Sequence, residues 1–458
     1  MFRSCLSLLL VTAILSPAAE KVDYILSARR VVTMDAQRRV IDNGAVAVKG
    51  NRIAAVGAKA EINRQFTAAK RIDMPEGILI PGLVNTHTHA PMSLLRGIAD
   101  DLKLQEWLEK YIFPLEAKFV SPEFVRDGTR LACIEMMLSG TTTYTDMYYF
   151  EEVIAEATKE CGMRGVLGQT IIQFPVADAK TPVEGLARTE AFLKKYAKDP
   201  LIVAAVAPHA LYTNDEATLK AARALANKYG APLITHLSET KKENDDMRAK
   251  YGASPTAVLD RWGIFNGRTL VAHGVWVDAA DIAILKNRNV GVAHCPSSNM
   301  KLASGVAPVT AYLEAGVAVG LGPDGPAGSN NDFNLFEEID LATKLQKVSR
   351  MDPTALPAES AFAMATIGGA KALGMEKEIG SLETGKRADL VFVSTSEPHA
   401  TPLFNVYSAL VYALKGSDVQ HVLIDGKLVV RSRKLLTVNP SVVLSTSQRW
   451  QERIRAAR

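Results

Sequence analysis

The stretch Pro81-Gly82-Leu83-Val84-Asn85-Thr86-His87-Thr88-His89 decides how this chain is read. The run 77–84 is apolar and reads as one buried strand. Two histidines, one residue apart, close it. Side chains at i and i+2 of a strand point to the same face, so His87 and His89 aim two imidazoles at one point. That is how a protein begins to hold a divalent metal. A bare His-x-His arises often by chance, so its weight depends on what later strands place beside it.

Working outward, apolar β-branched segments alternate with helical ones. Strands are expected at 78–85, 141–147, 164–170, 202–208, 232–237, 269–273, 290–294 and 317–322. Helical segments such as 122–139, 184–198 and 215–229 lie between them. Eight such units fit an α/β fold, a TIM-like (β/α)8 barrel. A doubly wound open sheet would carry a glycine-rich phosphate turn after its first strand, and none is present.

The chain ends differ from this middle. Residues 44–57 form two strand-like runs joined at Gly50-Asn51, a hairpin turn. Strands return at 388–393, 419–424 and 427–430, the last pair across Asp425-Gly426. Segments 20–76 and 377–440 are therefore expected to form one small β-sandwich beside a barrel at 77–376. Residues 441–458 are read as a C-terminal tail, whose charged end, 448–458, is expected to fray. Residues 1–19 carry a basic start, an apolar run of about ten residues and small residues for cleavage, which is the pattern of a signal peptide. Export to the periplasm or medium is the expectation. A cytoplasmic location follows if that run is an ordinary apolar tail.

Composition narrows the classes. A hydrophobic content of 48% and a charged content of 22% are those of a globular protein. The net charge of +4 is small and without a basic block, so nucleic acid is not an expected partner. No stretch is long and apolar enough for a transmembrane helix. Four scattered cysteines make neither a disulfide framework nor a Cys-x-x-Cys metal knuckle, so buried free thiols are expected.

Active sites of such barrels sit where strands end. Strand one ends in His87 and His89, strand four in His209, and strand five in His236 with Glu239 after it. Strand six ends in His273, strand seven in His294 and strand eight in Gly322-Pro323-Asp324. Every histidine of the barrel region falls at a strand end. His399 and His421 lie outside it and read as structural.

With these residues on the page, the chain resembles the amidohydrolase superfamily, in its adenosine-type and chlorohydrolase-like branch. The motifs are the His87/His89 stretch, His236-Leu237-Ser238-Glu239-Thr240, Val271-Ala272-His273-Gly274, His294-Cys295-Pro296-Ser297-Ser298-Asn299 and Gly322-Pro323-Asp324. The resemblance covers residues 22–440. It implies one divalent metal held by His87, His89, His236 and Asp324. Zn²⁺ suits three imidazoles and a carboxylate, and Fe²⁺ also fits. Binuclear relatives use a lysine at the end of strand four, where this chain has Ala207-Pro208-His209, so a single metal is implied.

The resemblance further implies hydrolytic deamination. Glu239 would contact the substrate and pass a proton to a ring nitrogen. His273 would orient or deprotonate the attacking water, and Asp324 would shuttle a proton to the departing ammonia. His294 has no ligand slot left and reads as structural. In the branch that deaminates 5'-methylthioadenosine and S-adenosylhomocysteine, a glutamate binds the ribose hydroxyls, and here that position is Glu116. Arg164 and His209 would complete the pocket.

The leading expectation is thus an aminohydrolase acting on a small molecule, an adenine nucleoside, with a homo-oligomer possible from the resemblance. Alternatives are a guanine- or triazine-type aminohydrolase or chlorohydrolase on the same site, and an exported metallo-dipeptidase. The other zinc deaminase class needs H-x-E with P-C-x-x-C, which is absent.

Overall fold

In a computed structural model, residues 19–457 are described. The expected signal peptide, 1–19, lies outside the described residues but for its last residue. Eight parallel strands close into a barrel: Leu83–Thr88, Thr141–Tyr148, Arg164–Ile171, Ile202–Pro208, Leu233–Leu237, Thr269–His273, Gly291–His294 and Val319–Leu321. The expected barrel is present, strand by strand. Several of its helices begin with polar caps, as at Ser121, whose side chain accepts from the Phe124 N–H at the start of Pro122–Leu138.

Both chain ends meet in one mixed eight-stranded sheet. Its order is Lys434–Leu435, Lys427–Arg431, Val419–Ile424, Leu390–Ser394, Phe66–Pro81, Glu20–Val32, Val40–Lys49 and Arg52–Ala58. Alternation divides its faces, as period-2 geometry demands. Ile78, Ile80, Val391 and Val393 pack into the barrel's core. Leu79, Leu390 and Phe392 face the other way, into a second cluster with Leu26 and Val46.

Two expectations need correction. The apolar run 77–84 is not one strand. Residues up to Pro81 belong to the sheet, and the barrel strand starts at Leu83. Gly82 is the hinge: its N–H bonds the Asp389 carbonyl at 3.0 Å. A β-carbon there would stand 2.0 Å from the Thr142 hydroxyl. The tail does not fray either. Pro440–Ala456 is a helix, capped by the Asn439 side chain and docked on the barrel helix Pro122–Leu138. Trp450 is 2% exposed, meets Phe124 edge to face at 5.2 Å and donates to Asp127 at 2.9 Å. Trp450→Ala is expected to lower stability by about 3–5 kcal/mol, measured by urea unfolding, because it removes a buried aromatic and leaves a cavity.

Cys133, Cys161 and Cys295 are buried free thiols, as expected. Among the described residues, no helix is long and apolar enough to cross a membrane.

Candidate metal centre and active site

Five barrel-end residues converge. Ligand atoms of His87, His89 and Asp324 lie within 4.8 Å of one another, as do those of His87, His236 and His273. Second hydrogen bonds fix which nitrogen points inward. His89 Nδ1 meets the Met147 carbonyl at 2.7 Å, and His236 Nδ1 meets the His209 carbonyl at 2.8 Å. A carbonyl only accepts, so both Nδ1 atoms are protonated and each Nε2 is the atom that faces the cage. Asp324 Oδ1 stands 3.3 Å from the Nε2 of His87 and of His89. Its other oxygen accepts from Ser298 at 2.7 Å.

The residues fit a divalent ion by their own chemistry. Both ring nitrogens of His87 are buried without a hydrogen bond, a costly arrangement unless something else takes a lone pair. Burial holds His87 down to about 4, although Asp324 pulls the other way. Burial also opposes charge on His89, but there Asp324, Asp146 and the Met147 carbonyl win and raise it to about 9. The cluster thus attracts positive charge and, at His87 and His236, presents neutral imidazoles. His236 is held far below its usual range by burial and by the neighbouring histidines.

Around this cage stand the other expected residues. His273 Nδ1 lies 3.0 Å from Asn299 Oδ1, and its Nε2 lies 3.8 Å from Glu239 Oε2. Glu239 is buried, and burial followed by the Asp324 charge pushes it up to about 8. Glu243 holds the turn that presents it, accepting from the backbone N–H groups of Ser238 and Glu239 at 3.1 and 2.8 Å. Ser238, His273 and Asp324 all take left-handed backbone conformations, φ 50°, 74° and 66°. Such conformations in non-glycine residues cluster where structure serves a site.

One pocket joins these groups to Glu116, Tyr148, Tyr149, Thr170 and His209. Glu116 reaches it from the helix Phe113–Phe119, which follows a π-helical turn at Leu108–Ile112. It accepts from the Tyr148 hydroxyl at 2.7 Å and, more weakly, from Tyr149 at 3.5 Å. His209 is tied at Nδ1 to Thr213 at 3.0 Å, which leaves Nε2 for the pocket. Burial and the nearby histidines lower it to about 3, so it is neutral.

Arg164 does not join them. It is the first residue of its strand, so it sits at the opposite mouth of the barrel. There its guanidinium pairs with Asp389 and Asp425 at 3.2–3.3 Å and donates to the Pro200 carbonyl at 2.9 Å. Thr170, at the far end of the same strand, reaches the pocket instead. The signal was available: residues that open a barrel strand face away from the site. His294 is fully buried and belongs to neither ligand group, while His399 pairs with Asp418 at 2.8 Å far from the barrel strand ends.

Comparison with known proteins agrees with this geometry. The chain is 46% identical over 437 residues to the 5-methylthioadenosine/S-adenosylhomocysteine deaminase of Thermodesulfovibrio yellowstonii, covering 94% of this chain and 99% of that one. It is 45% identical to 5-methylthioadenosine/S-adenosylhomocysteine deaminase 1 of Syntrophus aciditrophicus, covering 95% and 98%. A crystal structure of an adenosine deaminase from Xanthomonas campestris with bound zinc superimposes with a TM-score of 0.94 at 42% identity, covering 96% and 100%. A profile described as "Amidohydrolase family" matches residues 78–429, which take in the whole barrel and every ligand candidate on it. With histidines and an aspartate converging at the barrel mouth over that same span, the chain belongs to the amidohydrolase family.

Proposed function

We propose that the protein is a hydrolytic deaminase of adenine nucleosides: water replaces the 6-amino group, leaving a carbonyl and releasing ammonia. One observation carries the reading. A buried glutamic acid, Glu239, and a second carboxyl, Glu116, stand at two sites of one pocket beside the histidine–aspartate cage. A purine ring needs a proton donor at its nitrogen, and a ribose needs an acceptor for its vicinal hydroxyls.

A zinc ion held by His87, His89, His236 and Asp324 would supply a Lewis acid that makes water acidic near neutral pH. The zinc bound in the similar adenosine deaminase supports that choice of ion. The protein's own groups do the rest. Asp324 and His273 orient the attacking water and take its proton. Glu239 gives a proton to the ring nitrogen beside the reacting carbon. As the carbon–nitrogen bond breaks, Asp324 returns the proton taken from water to the departing amine, and the hydroxyl left on that carbon gives its proton back to Glu239 as the carbonyl forms. His209 and Glu116 fix the ribose.

The pocket also bears on the 5' substituent. Leu104, Trp107, Leu108, Ile112 and Phe113 line one wall, and among the described residues no lysine or arginine lines it. The adjoining groove shares Leu104, Leu108, Phe113 and Tyr212 with it and carries Glu109, Glu243 and Asp246 against Lys250. A thioether or hydroxymethyl group suits such a surface, whereas an amino-acid carboxylate would be desolvated without a partner. The expected kcat/KM for 5'-methylthioadenosine exceeds that for S-adenosylhomocysteine by about tenfold or more. Ammonia release from adenosine, methylthioadenosine, S-adenosylhomocysteine, guanine and melamine checks both points. Turnover of guanine or melamine with none of the nucleosides would overturn the reading.

The amino-terminal segment supports export, and fractionation of cells making the chain with and without residues 1–19 tests it.

A further inference from the structure

We infer that Glu338, remote from the substrate pocket, is a positioning residue for both Asp324 and His273, acting through one short helical turn that it clamps. The inference rests on the deaminase reading for what those two residues do.

The turn is Pro296–Lys301, which follows the seventh barrel strand. Three consecutive side chains on it serve three different partners. Ser298 donates to Asp324 Oδ2 at 2.7 Å. Asn299 Oδ1 meets His273 Nδ1 at 3.0 Å, which leaves the His273 Nε2 directed at the site. Ser297 faces away from the site, toward Glu338. Its hydroxyl donates to one carboxyl oxygen, and its backbone N–H donates to the other at 3.2 Å.

The turn has no side-chain cap of its own, since Cys295 stands at its N-cap position. The first N–H groups of a helix have no partner within it and need an acceptor from outside. Glu338 supplies that acceptor from the helix Leu335–Arg350. It is fully buried.

Glu338 also grips the other side of Asp324. The Asn330 side-chain amide donates to it at 3.3 Å and to the Pro323 carbonyl at 2.9 Å. The Asn330 backbone N–H bonds the Gly325 carbonyl at 3.0 Å. The carbonyls on both flanks of Asp324 are thus anchored to Asn330, which in turn bonds the Glu338 that anchors the turn holding its carboxylate. Asp324 and His273 both sit in left-handed conformations, φ 66° and 74°, which only outside contacts maintain. Burial pushes the Glu338 carboxyl up to about 8, so glutamine matches its neutral form in shape.

The test uses the zinc-loaded and cobalt(II)-substituted full chain. Glu338→Ala is expected to lower kcat by about 10–100-fold with KM within about threefold, as for residues that orient ligands from behind. The visible absorption of the cobalt form should shift, because Asp324 loses its fixed orientation. Glu338→Gln should recover kcat to within about fivefold of the parent by the same logic. Ser297→Ala, which leaves Glu338 in place, should give a smaller kcat loss with the same spectral shift. If Glu338→Ala does not fold, the other two variants decide. Unchanged kcat and an unchanged cobalt spectrum in Ser297→Ala, or a lowered melting temperature as the only effect of Glu338→Ala, would overturn the inference. The cobalt spectrum needs no substrate, so it separates failure here from an error in the deaminase reading.

Discussion

Asp324→Asn is expected to lower kcat by about three orders of magnitude or more, since it removes a ligand charge and a proton carrier together. The substitution is nearly isosteric. An asparagine oxygen can still accept from the Gly325 N–H, while its amide NH2 can donate to the Ser298 hydroxyl; these two groups bond the two carboxyl oxygens at 2.7 Å each. What disappears is the negative charge that faces His87 and His89 at 3.3 Å. The three imidazoles then face a metal without a counter-charge in a buried site, so zinc content measured after dialysis should also fall. A variant that kept a tenth of the parental kcat and its full metal content would refute this account.

Glu239→Gln is expected to cost about 10²–10⁴ in kcat, the range of a lost general acid. Glutamine fills the same space but holds no transferable proton. The pH profile gives an independent reading. Burial and then the Asp324 charge raise Glu239 to about 8. The protonated form is the donor, so activity is present below the pKa and is lost as pH rises through it. A cation in the cage offsets the Asp324 charge, so the falling limb belongs between the ordinary carboxylate range and about pH 8. In Glu239→Gln that limb should vanish from kcat/KM. A variant that kept both rate and limb would remove Glu239 from the chemistry.

Much of this site was legible in the chain, because barrel geometry turns sequence position into spatial position. His87, His89, His236, His273 and Asp324 end their strands, and strand ends share one mouth. Arg164 shows the limit of that rule. A strand has two ends, and only attention to which end an arginine occupies separates a substrate contact from an ion pair. Glu243 and Glu338 carried no sequence signal, and Ser298 and Asn299 showed only as part of the 294–299 motif, with no role attached. Each acts through a partner brought near by folding, and a buried glutamate on a helix looks like any solvated one until its neighbours are known. The division of run 77–84 at Gly82 was hidden for a related reason, since two strands in different sheets can be continuous in hydropathy.

Arg164 also carries a consequence for how the polypeptide is made. Its counter-charges, Asp389 and Asp425, follow it by 225 and 261 residues. A ribosome therefore delivers the cation long before either anion. Until then the lower mouth of the barrel would bury an uncompensated guanidinium, which is strongly unfavourable. The sheet strand Phe66–Pro81 likewise waits for its neighbour Leu390–Ser394. Closure of the fold is thus coupled to the last part of the chain, which supplies both counter-charges and the neighbouring strand.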